Sequence, residues 1–300
     1  MPKKLVGDIN IMYEAYGKGA TIVYLQSVLG GINPAAYYFA GRLSSHFRVI
    51  IWDSPNTRHS DVVIKPFPSD CHLTCEYLKG LLDELGEDMV HIAGCSGGGD
   101  IGLLFTSLYP EMVKSLAMYR PTDTTSSAEK ELVKARYLNL AEYAKVHCME
   151  EVVAYSQNPP KTRFGDLSGW IASLYRKDSQ KILSLDNKEF SEMLSNWGKW
   201  MASPMFYRAN LSDDDLQNIK VPVLIAPCAD EYHPESIALD LHEHLPNSVY
   251  IPSKMYRSVD EIYDAKWDEN PFGGLCDFVD EYEGFMCERF ILLLNYPHSQ

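Results

Sequence analysis

Ser96 is the residue whose sequence setting most directly predicts chemistry. It stands between Gly94 and Gly98 in the pattern Gly-x-Ser-x-Gly. The apolar run at residues 89–93 is typical of a buried strand, and the apolar spacing at residues 101–108 is typical of a helix. Glycines allow the close backbone contacts of a strained turn, and the first N–H groups of a helix stabilise negative charge near the serine hydroxyl. We therefore predict that Ser96 is a nucleophile held on a strand–turn–helix.

The elements around this serine alternate between strand and helix patterns. Buried strands are predicted at residues 20–25, 47–52, 89–93, 113–119 and 221–226. Amphipathic segments between them predict helices, and one of these begins at Pro34 with Asn33 as its cap. From residue 126 to about residue 211 only helical patterns occur. This order predicts an α/β protein with a parallel sheet and a helical insertion.

Three features together resemble the α/β-hydrolase fold, and the resemblance covers essentially the whole chain. They are the Gly-x-Ser-x-Gly turn, the loop Trp52-Asp53-Ser54-Pro55 after the predicted fourth strand, and Asp230 just past the predicted seventh strand. The resemblance implies a nucleophile, an acid and a histidine in that chain order. Ser96 matches the nucleophile and Asp230 matches the acid.

The resemblance also implies the domain organisation. It predicts a mostly parallel eight-stranded sheet with helices on both faces. The core would comprise residues 1–121 and 212–300, and residues 122–211 would form an inserted helical lid. Lids in this family close over the nucleophile.

The histidine of the family pattern is missing from its usual place. The segment after the predicted eighth strand contains no histidine before His298, which lies beyond the last predicted helix. Tyr256 falls close to the expected position. A tyrosine titrates near pH ~10, so it is a poor base at neutral pH. We expect Tyr256 or Arg257 to turn toward Ser96, where the tyrosine hydroxyl would donate a hydrogen bond to Ser96 or to the substrate.

Two other histidines are candidate bases for Ser96. His59 lies in the loop after the fourth strand, which borders the pocket entrance in the resembled family. His233 follows Asp230 by three residues. A general base must come within ~2.6–3.2 Å of the hydroxyl from which it takes the proton. The sequence leaves the choice between His59 and His233 open.

The loop after the third strand departs from the family in a less serious way. It carries Gln26 and Ser27 where the family usually has His-Gly. The oxyanion donors of this fold are backbone N–H groups, so the identity of the side chain matters little. By position the two donors would be Val28 and Gly97, and we predict that Gln26, Ser27 and Cys95 contact the substrate.

Aromatic residues recur through the predicted lid. Trp170, Trp197 and Trp200 are the largest of them. Each one alone is explained by packing of a helix on the core. Together they predict a pocket for an apolar or aromatic small molecule.

Composition excludes several classes of partner. The net charge of −14 argues against nucleic acid and against an anionic membrane surface. The chain has seven cysteines, no secretory signal and no apolar stretch of transmembrane length, so we expect a cytoplasmic protein with reduced thiols. Cys71 and Cys75 have no second ligand pair at zinc spacing, and we predict neither metal nor cofactor. A homodimer remains open.

These features favour an enzyme, with two alternatives. The primary prediction is serine-dependent hydrolysis of an ester, thioester or C–C bond in an apolar or aromatic small molecule, with a non-standard base. The missing histidine motivates a cofactor-independent lyase, isomerase or cyclase as the first alternative. A catalytically dead binding protein of the same fold is the second.

Overall fold

The computed structural model describes residues 2–26, 31–122, 127–158, 169–227 and 233–250. Five predicted site residues lie outside the described residues: Ser27, Val28, Asp230, Tyr256 and Arg257.

The described residues form one eight-stranded sheet. Its strands are β1 (Lys3–Val6), β2 (Ile9–Tyr16), β3 (Thr21–Leu25), β4 (Arg48–Trp52), β5 (Val90–Cys95), β6 (Val113–Tyr119), β7 (Val223–Ala226) and β8 (Ser248–Tyr250). The spatial order is β1-β2-β4-β3-β5-β6-β7-β8. The pairs β1–β2 and β2–β4 are antiparallel, and every later pair is parallel. The predicted mostly parallel sheet is confirmed, with β5 at its centre.

Helices connect the strands and fill the long segment between β6 and β7. They are α1 (Pro34–Leu43), α2 (Asp70–Leu85), α3 (Gly97–Leu108), α4 (Ser127–Val133), α5 (Asn139–Ala144), α6 (Met149–Gln157), α7 (Trp170–Lys177), α8 (Ser179–Leu183), α9 (Asn187–Met201), α10 (Asp213–Asn218) and α11 (Glu235–His244). A π-helical turn at Lys134–Leu138 joins α4 to α5, and short 3₁₀ turns lie at Pro110–Met112 and Phe206–Arg208. None of the described helices has the length and apolar character that crossing a bilayer requires.

Local chemistry explains where two of these helices begin and end. The Asn33 side chain accepts a hydrogen bond from the Ala36 N–H at 3.0 Å, and Pro34 occupies the first turn of α1. Ser69 caps α2 in the same way, through the His72 N–H at 3.2 Å. Gly86 ends α2 in the left-handed conformation, with φ of 71°.

The sheet is covered on both faces, as its alternating side chains require. Ile22 and Tyr24 belong to one buried cluster, which includes Phe39 of α1. Val23 and Leu25 belong to the other, which includes the buried faces of α2 and α3. That second cluster continues into the helices between β6 and β7. One continuous hydrophobic core therefore holds both β5 and the helices between β6 and β7 in place.

Candidate active site

The backbone at Ser96 is strained. Ser96 has φ of 54° and ψ of −131°, a conformation that L residues rarely adopt. Its N–H donates to the Tyr119 carbonyl at 3.0 Å, and its carbonyl accepts from the Gly99 N–H at 2.7 Å. These bonds connect the serine to β6 on one side and to the first turn of α3 on the other. Ser96 thus stands at a sharp turn between β5 and α3, where its side chain is half-buried.

The flanking glycines are required by close backbone packing. A Cβ on Gly94 would lie 2.3 Å from the Gly98 carbonyl oxygen. A Cβ on Gly98 would lie 2.2 Å from the Leu25 carbonyl oxygen, at the end of β3. No side chain fits at either distance, because the atoms would overlap. The Gly-x-Ser-x-Gly pattern therefore reflects contact between β3, β5 and the start of α3.

Two side chains of the described residues lie within hydrogen-bond distance of the Ser96 hydroxyl. His233 Nε2 is 3.0 Å from Ser96 Oγ. Thr122 Oγ1 is 3.3 Å from the same oxygen. His233 is 7% exposed and lies between β7 and α11, far from Ser96 in sequence.

This arrangement is suited to nucleophilic catalysis. With its proton on Nδ1, a neutral His233 imidazole presents the lone pair of Nε2 to the Ser96 hydroxyl. The distance lies within the reach that a general base requires. A serine beside such a base gains the nucleophilicity that the hydroxyl lacks by itself.

Thr122 is a site residue that the sequence analysis did not find. It lies three residues past the end of β6 and is 6% exposed. Its only sequence signal is this position, because β6 neighbours β5 in the sheet and both strands run in the same direction. The carboxyl ends of parallel strands meet at one edge, so a short polar side chain there was a candidate.

His59 is placed differently from His233. Its ring Nδ1 lies 3.1 Å from Asp53 Oδ2, and its own N–H donates to the same oxygen at 3.0 Å. Asp53 is fully buried, and its other oxygen accepts from the Ile32 N–H at 2.6 Å. The His59 side chain is 53% exposed. Because the ring is held by Asp53, this geometry does not favour His59 as the base for Ser96.

Gln26 brings a buried amide to the end of β3. The residue is 7% exposed, and both side-chain polar atoms are buried without a hydrogen-bond partner among the described residues. Its backbone carbonyl oxygen lies 2.7 Å from the position that a Cβ on Gly98 would take. An unsatisfied buried amide costs ~1–3 kcal/mol, so this side chain has an unfilled capacity to bind a polar group.

Two other predicted site residues lie on the neighbouring strand and helix. Cys95 is half-buried at the end of β5, and Gly97 is the first residue of α3.

Two of the three predicted tryptophans line one cavity, and the third is not part of its described lining. Trp197 donates its ring N–H to the Phe67 carbonyl at 2.9 Å, and Trp170 donates to the Arg136 carbonyl at 3.0 Å. Both border a cavity whose described lining includes neither Ser96 nor His233. Trp200 packs edge-on against His72 and Phe206.

The two cysteines of α2 are buried in the core. Burial raises the pKa of Cys71 and of Cys75 well above the usual range of a thiol, so both stay protonated at neutral pH. Metal ligation requires the thiolate. No cluster of potential metal ligands occurs within the part of the chain that the structure describes.

Comparison with known proteins agrees with this architecture. A sequence profile of the alpha/beta hydrolase fold matches residues 21–145. The crystal structure of MGS-M2, an alpha/beta hydrolase enzyme from a deep-sea metagenome library, superposes with a TM-score of 0.56 at 22% identity, covering 95% of this chain and 97% of that one. The described residues therefore have the α/β-hydrolase fold.

Two curated relatives that match part of the sequence are named as hydrolases. A 2-hydroxy-6-oxononadienedioate/2-hydroxy-6-oxononatrienedioate hydrolase of Pseudomonas putida is 34% identical over 118 residues, 37% of this chain and 40% of its own length. The 2-hydroxy-6-oxo-6-phenylhexa-2,4-dienoate hydrolase of Comamonas testosteroni is 30% identical over 122 residues, 40% and 42% of the two chains. The matched region thus spans about two fifths of each relative.

A meta-cleavage product hydrolase is also a structural neighbour. The enzyme from Pseudomonas fluorescens IP01 superposes on this α/β-hydrolase chain with a TM-score of 0.59 and covers 98% of both chains. Its sequence identity is 16%, so this likeness concerns the fold alone.

Proposed function

We propose that this α/β-hydrolase chain hydrolyses a C–C or ester bond next to a carbonyl group in a small aromatic or apolar molecule, with Ser96 as nucleophile and His233 as base. The observation that carries the proposal is the 3.0 Å distance between Ser96 Oγ and His233 Nε2. The strained turn at Ser96 supports it, because such strain persists where function requires an exposed side chain. The names of the two curated relatives support the choice of substrate.

In the proposed mechanism His233 removes the proton from Ser96 as Oγ attacks the substrate carbonyl carbon. The negative charge that develops on the carbonyl oxygen is stabilised by backbone N–H groups, of which Gly97 at the start of α3 is one. The fold resemblance makes Val28 the second. The imidazolium then returns the proton to the leaving carbon or oxygen, and water releases the acyl group from Ser96 by the reverse proton path.

His233 replaces a base that the family usually supplies from another loop. In the usual order the histidine follows the eighth strand, whereas His233 follows β7, on the loop that also carries Asp230. Asp230 remains the proposed acid. An acid three residues from the base would orient the imidazole from within a single loop.

A direct test compares two histidines in the same assay. Ester hydrolysis and fluorophosphonate labelling should both be lost in Ser96→Ala, because the nucleophile is gone. His233→Ala should lower kcat/KM by about 10²–10⁴-fold, the usual contribution of a general base. His59→Ala is the matched control and should change kcat/KM by less than about threefold, within the range of substitutions away from the chemistry. Full activity in His233→Ala, or its loss in His59→Ala, would contradict the proposal.

Gln26 is proposed to bind a polar group of the substrate, and this has an unusual consequence for stability. Gln26→Met removes an amide that has no partner within the described residues, so the free energy of unfolding should stay equal or rise by about 1 kcal/mol. KM should rise several-fold in the same variant, because the substrate loses a hydrogen bond. Chemical denaturation and steady-state kinetics measure the two effects. A large loss of stability would indicate a structural role instead.

A further inference from the structure

A cavity of about 450 Å³ lies between the loop after β4 and the helices between β6 and β7. Its walls come from the loop after β4, the start of α2, the π-helical turn and helices α7 and α9. The described lining contains neither Ser96 nor His233. The volume is that of an ordinary small-molecule site, which is usually ~300–1,000 Å³.

The charge of this cavity is opposite to that of the chain as a whole. Arg58, Arg136 and Arg176 line it, with Asp70 as the one carboxylate. Asp70 Oδ2 accepts from the Tyr137 hydroxyl and lies 3.8 Å from an Arg136 nitrogen, so these two charges offset each other. Among the described residues no ion pair involves Arg176, and the Arg58 side chain packs at Gly31 beside the buried Asp53 carboxylate. The described lining still holds three guanidinium groups against one carboxylate, which makes the cavity attractive to anions.

Aromatic rings in and beside the wall of this cavity indicate the shape of the anion that would bind there. The Arg136 guanidinium lies 5.5 Å from the centre of the Trp170 ring and 5.2 Å from that of Tyr137. Trp197 forms another part of the wall. Flat rings pack against flat ligands, and the planar fork of arginine pairs with the oxygens of an anionic group such as a carboxylate. The rings therefore favour a carboxylate with a flat body over a bare inorganic ion.

The loop that carries Arg58 is fixed before any ligand binds. Asn56, at φ of 69°, donates its side-chain amide to the Val63 carbonyl at 2.8 Å and accepts from the Val63 N–H at 2.8 Å. The Thr57 hydroxyl donates to the Ser54 carbonyl at 2.7 Å. A pre-formed loop spares the ligand the entropy cost of ordering it.

We propose that this cavity binds a small aromatic or conjugated carboxylate, with Arg58 and Arg176 pairing its oxygens and Trp170 packing on its planar body. The inference goes beyond the proposed hydrolase function, since it depends on neither Ser96 nor His233. Arg58 follows β4, and Arg176 lies on α7 in the helical segment. A bound ligand therefore connects the sheet region to that segment, and it raises the unfolding temperature with the logarithm of its free concentration once that concentration exceeds Kd.

Isothermal titration calorimetry with phthalate tests the site, with benzamide as the uncharged probe and inorganic phosphate as the tetrahedral one. Phthalate should bind saturably, and neither other probe should match it. Arg58→Gln and Arg176→Gln should each weaken phthalate binding by about tenfold or more, the equivalent of one charged hydrogen bond. Lys188→Gln is the matched control, because it removes one positive charge from an exposed position on α9 outside the cavity.

Three results would overturn the proposal. They are no saturable binding of phthalate, an affinity for phthalate in the two arginine variants equal to that of the unmodified protein, and phosphate binding as tight as phthalate binding. Arg58 and Arg176 line this cavity, whose described lining excludes Ser96 and His233, so their effect tests the site whether or not the hydrolase activity is found.

Discussion

His59 and His233 occupy equivalent places in the sheet and have different surroundings. Each lies seven residues past the last residue of a parallel strand, β4 for His59 and β7 for His233. Each of these strands is two positions from β5, on opposite sides of it. His233 is buried, and its Nε2 contacts Ser96, whereas His59 is half-exposed and pairs with Asp53.

The difference shows what selects a base for the nucleophile. Both histidines follow strands that are two positions from β5, so the strand order does not decide which histidine contacts Ser96. The Asp53 carboxylate, buried next to the sheet, takes both the N–H and the ring of His59. His233, in contrast, lies within hydrogen-bond distance of Ser96 Oγ. A hydrogen-bond partner of each imidazole therefore sets the direction of its ring: Asp53 for His59 and Ser96 for His233.

The largest expected effect comes from combining substitutions around this comparison. If Ser96 and His233 act as one unit, the double variant Ser96→Ala/His233→Ala should lose no more kcat/KM than the worse single variant. Adding His59→Ala to His233→Ala should instead contribute only the small factor that His59→Ala shows alone. Steady-state kinetics on these three single and two double variants decides this. Multiplying losses for Ser96 and His233 would show that they act independently.

The next effect concerns stability in the loop after β4. Asp53→Ala leaves the N–H groups of Ile32 and His59 without their acceptor, so it should lower the free energy of unfolding by about 2–4 kcal/mol. His59→Ala, which removes only a half-exposed ring, should change that energy by less than about 1 kcal/mol. Urea denaturation at neutral pH measures both. Similar losses in the two variants would mean that the ring, rather than the carboxylate, holds the loop.

A third histidine, His91 on β5 itself, gives the smallest effect. Burial, followed by the nearby Lys114 charge, lowers the pKa of His91 to about 4. The unfolded chain binds this proton near pH 6.5 and the folded protein does not. Stability should therefore be fully present above about pH 6.5 and fall as the pH drops toward 4. His91→Gln should flatten this part of the stability–pH curve, measured by denaturation at several pH values. An unchanged slope would contradict the lowered pKa.

Local patterns in the sequence were sufficient to predict the fold. The strand runs, the Asn33 cap, the Gly86 helix end and the Gly-x-Ser-x-Gly turn each depend on residues a few positions apart. The α/β class and the mostly parallel sheet followed from their order and are confirmed. Neighbouring residues set these features because backbone sterics and hydrogen bonds act over one or two turns of chain.

The sequence by itself determined the nucleophile turn through its two glycines. A Cβ at Gly94 would overlap the Gly98 carbonyl, and a Cβ at Gly98 would overlap the end of β3, so only glycine fits at either position. Only the tertiary structure decided which groups face Ser96. His233 and Thr122 contact it from positions distant in the chain, and the order of strands in the sheet brings them together. Sequence spacing could place both candidate histidines at the correct edge of the sheet. It could not show that buried Asp53 binds one of them, because a loop side chain points wherever packing and its nearest polar partner hold it.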